Sequence, residues 1–458
     1  MEGIRRQGQL PFLNMTGTTC IRILLCLMYL VFSPVSPGCN LAAQENETDG
    51  WIEDIDLLGR ALEEKHPDLY LRMDQSSFRQ ELAAVAARAG EQSLFGLAVG
   101  LQQAVAGLGD AHTAVNYHFL INKENILPLE CFWFEEGITV METTRPCSRI
   151  LGKKLVSVNG FPVEQVIDSL STLLASQNPS LIKAETVRMI PWAQLLQHFG
   201  FAGEEGVTMG FGDTDGQVER VHFRLPVSED HSVGVEPDSV PEGWKERKAY
   251  FRDRYYPGEK LYYIQYNHCW SREVEEKHGS GAGALFMPSF REFEKRVFRH
   301  LRREEIDRLV IDLRFNGGGE GSQGSAFIEK LSRSKINGKG KICLIQGRNT
   351  ASTAMIHLDE LRRKTDAVTV GEPTGGRPNH FGEVRRFVLP ETGLVVNYPT
   401  RYHRLVAGDP PTILPDVEVP LYYRDYMSGI DAFLQAARKP GTYSSRVRPR
   451  MIRYWAGM

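Results

Sequence analysis

At 458 residues the chain is long enough for two or three domains with hydrophobic cores of their own. Its 42% hydrophobic and 24% charged residues, with a formal charge of −3, describe an ordinary globular protein. That balance is too neutral for nucleic acid to be the main partner, and the run 445-SRVRPRMIRYW-455 reads as part of a solvated basic tail over 441–458.

Residues 1–44 read as a secretory signal peptide, with an uncleaved signal anchor as the alternative. Arg5, Arg6 and Arg22 precede the apolar run 23-ILLCLMYLVF-32, and Pro34, Pro37 and the small residues of 41-LAAQ-44 follow. The run falls short of the ~20 apolar residues of a membrane span. The expected location is therefore secreted, periplasmic or at the cell surface, with a membrane contact only through that anchor. The cysteines show no CxxC or Cys/His ligand spacing, so a zinc site is not expected, and neither a metal nor an organic cofactor is called for. Export would permit a Cys131–Cys147 bond across a hairpin.

Three helices are predicted first, in 51-WIEDIDLLGRALEEKHP-67, 76-SSFRQELAAVAARAG-90 and 93-SLFGLAVGLQQAVAGLG-109, the last capped by Ser93. They make a small N-terminal helical domain over 45–120, which closes with 109-GDAHTAV-115, a Gly-Asp turn entering a strand. Residues 121–227 are rich in strands and turns. The strand, Asn159-Gly160 turn, Pro162 and helix order within 151–170 resembles the later half of a PDZ-like domain, and a helical segment around 178–200 is inserted before strands return at 206–225. Residues 228–258, charged and proline-bearing, are expected to be a linker. From 259 to 440 strands alternate with helices: strand 260–267, helix 286–304, strand 308–316, helix 325–333, strand 341–347, helix 353–364 and strand 366–371. That alternation predicts an α/β core with mostly parallel pairing.

Three places in this pattern suit chemistry. Ser352 lies in 350-TASTA-354, between a strand and a helix, where unpaired backbone N–H groups either take a serine cap or stabilise an oxyanion. The usual G-x-S-x-G flag of a nucleophile is absent. The run 316-NGGGEG-321 stands at the carboxyl end of a buried strand, where open α/β sheets place ligands, and it is not a P-loop. His112 has the pKa range of a general base but is one of twelve histidines.

Together, 310-VIDLRFNGGG-319, 350-TASTA-354, 370-VGEPTGGRPN-379, 109-GDAHT-113 and 414-LPDVEV-419 resemble, in identity and order, the C-terminal-processing (tail-specific) and tricorn-core serine peptidases. The resemblance covers roughly residues 50–435. It implies a crotonase/Clp-protease-like ββα core beside the PDZ-like and helical domains, and a peptide or protein substrate bound as an added strand. It places Ser352 as nucleophile, with the Thr353 amide and one amide of Gly317–Gly319, Gly318 being favoured, as the oxyanion hole. Tail-specific members use a lysine base where this chain has Arg377, and arginine is a poor base. The tricorn-like branch uses a histidine, which falls on His112. Counting back from Pro415-Asp416 puts the orienting acid at Asp409, with Glu383 as a rival. Arg377, His380 and Glu383 are substrate-binding candidates, His380 also a spare base. The competing expectation is a catalytically silent peptide- or hydrophobic-ligand-binding protein on the same scaffold, and a third is an esterase.

Overall fold

Apolar residues at helical spacing in the first third of the chain fold as predicted. The computed structural model describes residues 41–175, 178–227 and 230–439, so the leader, apart from 41–44, and the basic tail lie outside it. Helix α1 (Leu41–Lys65) stops just short of Pro67, α2 (Gln75–Ala86) is capped by Asp74, and α3 (Leu94–Gly107) by Ser93, whose hydroxyl accepts the Gly96 amide. From Glu47 onward the described residues form one compact unit. Among them no helix is long and apolar enough to cross a membrane.

Strand β1 (Ala114–Val115) follows, and then a β-rich layer: β2 (Leu129–Phe134), β3 (Gly137–Thr144), β4 (Lys154–Val158), β5 (Phe161–Pro162), β6 (Gly206–Gly212), β7 (Val218–Arg224) and β8 (Ser232–Gly234). These pair in the order β2-β3-β4-β6-β7, with β5 on β4 and β8 on β3. Helix α4 (Val163–Ser171) lies where the PDZ-like pattern puts it. The insertion is two helices, α5 (Pro179–Met189) and α6 (Ala193–His198). Cys131 is buried in β2 and Cys147 lies in a short helical turn after β3; both thiols are free, so the permitted disulfide is not formed.

The α/β core is a six-stranded sheet in the order β16-β13-β12-β11-β10-β9. Its strands are β9 (Phe251–Tyr256), β10 (Leu261–Tyr266), β11 (Arg308–Asp312), β12 (Ile342–Gln346), β13 (Val368–Gly371) and β16 (Val417–Glu418). All neighbours pair in parallel except the edge strand β9. Between and beside them run α7 (Arg272–His278), α8 (Phe290–Arg303), α9 (Ser322–Ser332), α10 (Thr353–Lys364), α11 (Tyr423–Met427) and α12 (Ala432–Arg438). β11 and β12 are buried nearly throughout, which their unbroken apolar runs require in a sheet covered on both faces. The expected linker over 228–258 is instead built into the fold. β8 pairs with β3, β9 closes the sheet edge, and Trp244 is buried between Phe132, Phe134 and Tyr426. Its charges misled because several of them, Glu242 with Arg252 and Arg254 for example, satisfy one another rather than water.

A third sheet, in the order β1-β15-β14, joins the two ends of the chain. Strands β14 (His380–Val388) and β15 (Val395–His403) leave the core as a hairpin whose end packs Leu389, Leu394 and Val396 among the residues of α1 and α3. Asp54 of α1, 1% exposed, accepts the amides of Glu391 and Thr392 and the Thr392 hydroxyl. β15 then pairs with β1 at Ala114↔Asn397 and Val115↔Val396, which carries the 109–113 turn to the core.

Candidate active site

Parallel strands β11 and β12 end side by side, and each is followed by one half of the site. After β12 the chain turns through 347–352 into α10. Thr350 braces that turn: its hydroxyl accepts the Gly347 amide and donates to Leu313 O, at the end of β11. The Ala351 amide donates to Asn316 O, and the Ser352 carbonyl accepts the Met355 amide, opening the helix. Ser352 itself has φ +52° and ψ −129°, and its side chain caps nothing. For a residue with a Cβ this backbone costs about 1–3 kcal/mol and is held by its surroundings. A strand, a strained serine and a helix make a nucleophile-elbow geometry without the G-x-S-x-G sequence. The room that flanking glycines would supply comes from other segments. A Cβ on Gly318 would stand 2.8 Å from Ser352 Cβ and 3.0 Å from the Thr353 amide nitrogen.

The glycine run after β11 is held between Cys269, beyond β10, and the start of α10. Cys269 N–H donates to Gly318 O at 3.0 Å, Glu320 N–H donates to Cys269 O at 2.7 Å, and the Thr353 hydroxyl donates to Gly319 O at 2.5 Å. The Gly318 amide, the donor favoured from sequence, is given to Asn316 Oδ1 at 2.9 Å. Because the Gly318 carbonyl points to Cys269, the N–H of the trans peptide that follows, that of Gly319, points the opposite way, away from Cys269. Among the described residues neither the Gly319 amide nor the Thr353 amide has an acceptor.

His112 arrives from the other end of the chain, just before β1. Its Nε2 lies 3.2 Å from Ser352 Oγ across 240 residues of sequence. Burial holds its pKa below the ordinary 6.5, with the Asp110 charge opposing the shift. The ring is therefore neutral and able to accept a proton at neutral pH. His380, at the start of β14, stacks on it at 5.9 Å and 24°. Burial, and then the like charge of His112, pull His380 down to about 4, and its Nδ1–H donates to Pro378 O. His403 of β15 stacks on the far side of His380 at 5.5 Å.

The remaining sequence candidates are placed apart from the His112 ring. Asp409 pairs with Arg72, at 3.0 Å, and with Arg377, at 3.3 Å, rather than with His112. Arg377 is thus engaged by Asp409. Glu383 is exposed and pairs with Arg401. The carboxylate that does come near His112 is Asp110, whose Oδ1 is 3.9 Å from Nδ1. Its only sequence signal was its place two residues before the histidine in GDAHT. Arg72 was not legible at all. It joins Gly109 O, Asn379 O and Asp409, tying the histidine turn to the segments after β13 and β15.

No family model matches the chain, and no curated protein matches it in sequence. Among solved structures it is similar to mature CPAF complexed with lactacystin, with a TM-score of 0.62 at 14% identity, covering 86% of this chain and 98% of that one. Mature CPAF alone gives a TM-score of 0.60 at 14% identity over 86% and 97%. The tricorn protease is matched at a TM-score of 0.40 and 12% identity, over 86% of this chain and 36% of that one. The likeness to CPAF covers most of the chain and shows the fold: a mixed α/β architecture with a PDZ-like domain and an N-terminal helical region.

Proposed function

We propose that this chain, which has the CPAF fold, is a serine-type peptidase of the tail-specific and tricorn-like kind that works through an acyl-enzyme. The observation that carries the reading is the 3.2 Å approach of His112 Nε2 to the hydroxyl of a strained, non-capping Ser352. Ser352 Oγ attacks the scissile carbonyl as its proton passes to His112 Nε2. The carbonyl oxygen, now anionic, is held by the Thr353 amide and by that of Gly319, which takes the place expected of Gly318. His112 then protonates the leaving amine, and water, activated by the same imidazole, releases the acid product. The substrate is a peptide or protein, and the leader makes the enzyme an exported one. N-terminal sequencing of protein recovered outside the cytoplasm tests export by locating the cleavage point.

A fluorophosphonate probe tests the chemistry. Labelling of the wild-type chain, lost in Ser352→Ala and lowered roughly 10³-fold or more in His112→Ala, supports the peptidase. A folded wild-type protein that does not label indicates the ligand-binding alternative, and turnover of esters without peptides indicates the esterase.

A further inference from the structure

The residue that orients His112 is not the one the motif order points to. We infer that Asp110 is the positioning acid of this site, completing a Ser352–His112–Asp110 arrangement in which acid and base stand two residues apart on one turn. The inference rests on the peptidase reading above and names the residue that makes His112 a base in the required tautomer.

For Nε2 to take the Ser352 proton, a neutral His112 must carry its own proton on Nδ1. That nitrogen is closed off from solvent and has no hydrogen-bond partner among the described residues. A buried N–H left so is costly, and it needs an acceptor. Asp110 Oδ1, at 3.9 Å, belongs to the one carboxylate within 4.0 Å of a ring nitrogen of His112 among the described residues. An approach of about 1 Å closes the bond, and such bonds are commonly long before substrate arrives.

Asp110 is built to wait there. It is 3% exposed, and its Oδ2 accepts from the Thr113 hydroxyl at 2.6 Å and from His66 at 3.3 Å. The His66 bond has a fixed sense. His66 Nδ1 accepts the Asp68 amide, so the ring proton lies on Nε2 and is donated to Asp110. Phe381 of β14 stacks edge-on against His66 at 4.5 Å and keeps it in place. Among the described residues Oδ1 accepts only the His112 backbone amide, at 3.0 Å, which leaves a lone pair for the His112 ring. Burial pushes the Asp110 carboxyl up, but the His66, Thr113 and His112 donors outweigh that and hold it below its ordinary value, in the ionised form. Asp409, by contrast, is held by two guanidinium groups. The titratable groups facing His112 are Asp110 on its own turn, His380 stacked on it and His403 beyond.

Two readouts test this. In proton NMR, wild-type protein should show a carboxylate-bonded Nδ1–H far downfield of the amides, absent from His112→Ala and Asp110→Asn but kept in Asp409→Asn. A resonance that survives in Asp110→Asn, or one that disappears only in Asp409→Asn, overturns the inference. This signal does not depend on turnover, so its failure is distinct from failure of the probe to label. In fluorophosphonate labelling, Asp110→Asn should lower the rate roughly 10³–10⁴-fold. It should also move the acid limb of the pH profile to lower pH, because the anion that raises His112 is gone. Asp110→Glu should restore both. A fall in rate with an unmoved limb means a merely structural role and also overturns it. Should Asp110→Asn fail to fold, Asp110→Glu carries the test, since it keeps the carboxylate and must keep the resonance.

Discussion

Ser352 is set apart from its neighbouring hydroxyls by what each oxygen touches. Thr350 and Thr353 spend theirs on the carbonyls of Leu313 and Gly319, which fixes the two loops to each other. Ser352 is left facing His112 on a backbone that a serine does not choose. Gly318 permits this by lying against Ser352 Cβ with φ +106°. Gly318→Ala should therefore displace the serine or the Thr353 amide and lower the fluorophosphonate rate by at least about a hundredfold. The comparison is with Gly317→Ala, whose Cβ meets open space and should cost far less. Equal rates in the two variants would mean that the close approach does not shape the site. The hydroxyl cluster, the glycine run and GDAHT are all legible as residues. The elbow is not, because the room it needs is supplied from a loop some thirty residues earlier.

At the level of elements, the site exists because β11 and β12 are parallel neighbours, so their carboxyl ends deliver the glycine run and the serine to one place. The histidine has no such guarantee. It depends on β1 pairing with β15 and on Arg72, which spans Gly109 O, Asn379 O and Asp409. Asp409 thus serves as an anchor for that latch. Arg72→Met keeps the side-chain bulk and removes the latch, and should slow labelling by about ten- to a hundredfold through misplacement of His112, with the melting temperature little changed. An unchanged rate would show that the β1–β15 pairing alone is sufficient. A second brace comes from the inserted helices. Arg188 of α5 reaches Asn349, just before the serine, and Asn178 donates to Thr374 O and Pro411 O. The helical insertion around 178–200 was expected from the sequence, but its targets were not, since single hydrogen bonds to distant segments leave no pattern in either partner.

Across the whole molecule, the predicted boundaries mark changes of texture more than changes of core. The helices, the PDZ-like layer and the tip of the β14–β15 hairpin bury their side chains in one cluster, while the α/β core has its own clusters on the two sheet faces. Burial across these layers depresses many histidines: His112, His118, His198, His268, His357 and His403 all lie below their ordinary value, and His380 falls to about 4. A histidine with a depressed native pKa binds protons first in the unfolded chain, so stability rises with pH through that window and is lost as pH falls. Denaturant unfolding should therefore change little between about pH 7 and 8 and weaken from about pH 6.5 toward 4, each fully coupled histidine contributing up to about 1.4 kcal/mol per pH unit. His380→Gln should flatten part of that slope. A protein more stable at pH 5 than at pH 7 would contradict this account. Below about pH 4.5 the carboxylates continue the loss in the same direction, Glu63 and Glu273 being held at about 2 by their hydrogen-bond donors, against the cost of burial.

The order of elements, the parallel core, the capped helices and the Ser352 and glycine motifs followed from the sequence by itself, because periodicity, caps and turn residues act over a few positions. The serine's strained backbone, the engagement of the Gly318 amide by Asn316, and the meeting of His112 with Ser352 were decided only by tertiary structure. So was the choice of acid. Motif order in the sequence points to Asp409, with Glu383 as rival, but a carboxylate is assigned by what surrounds it: two guanidinium groups draw Asp409 away, and His66 and Thr113 hold Asp110 beside the imidazole.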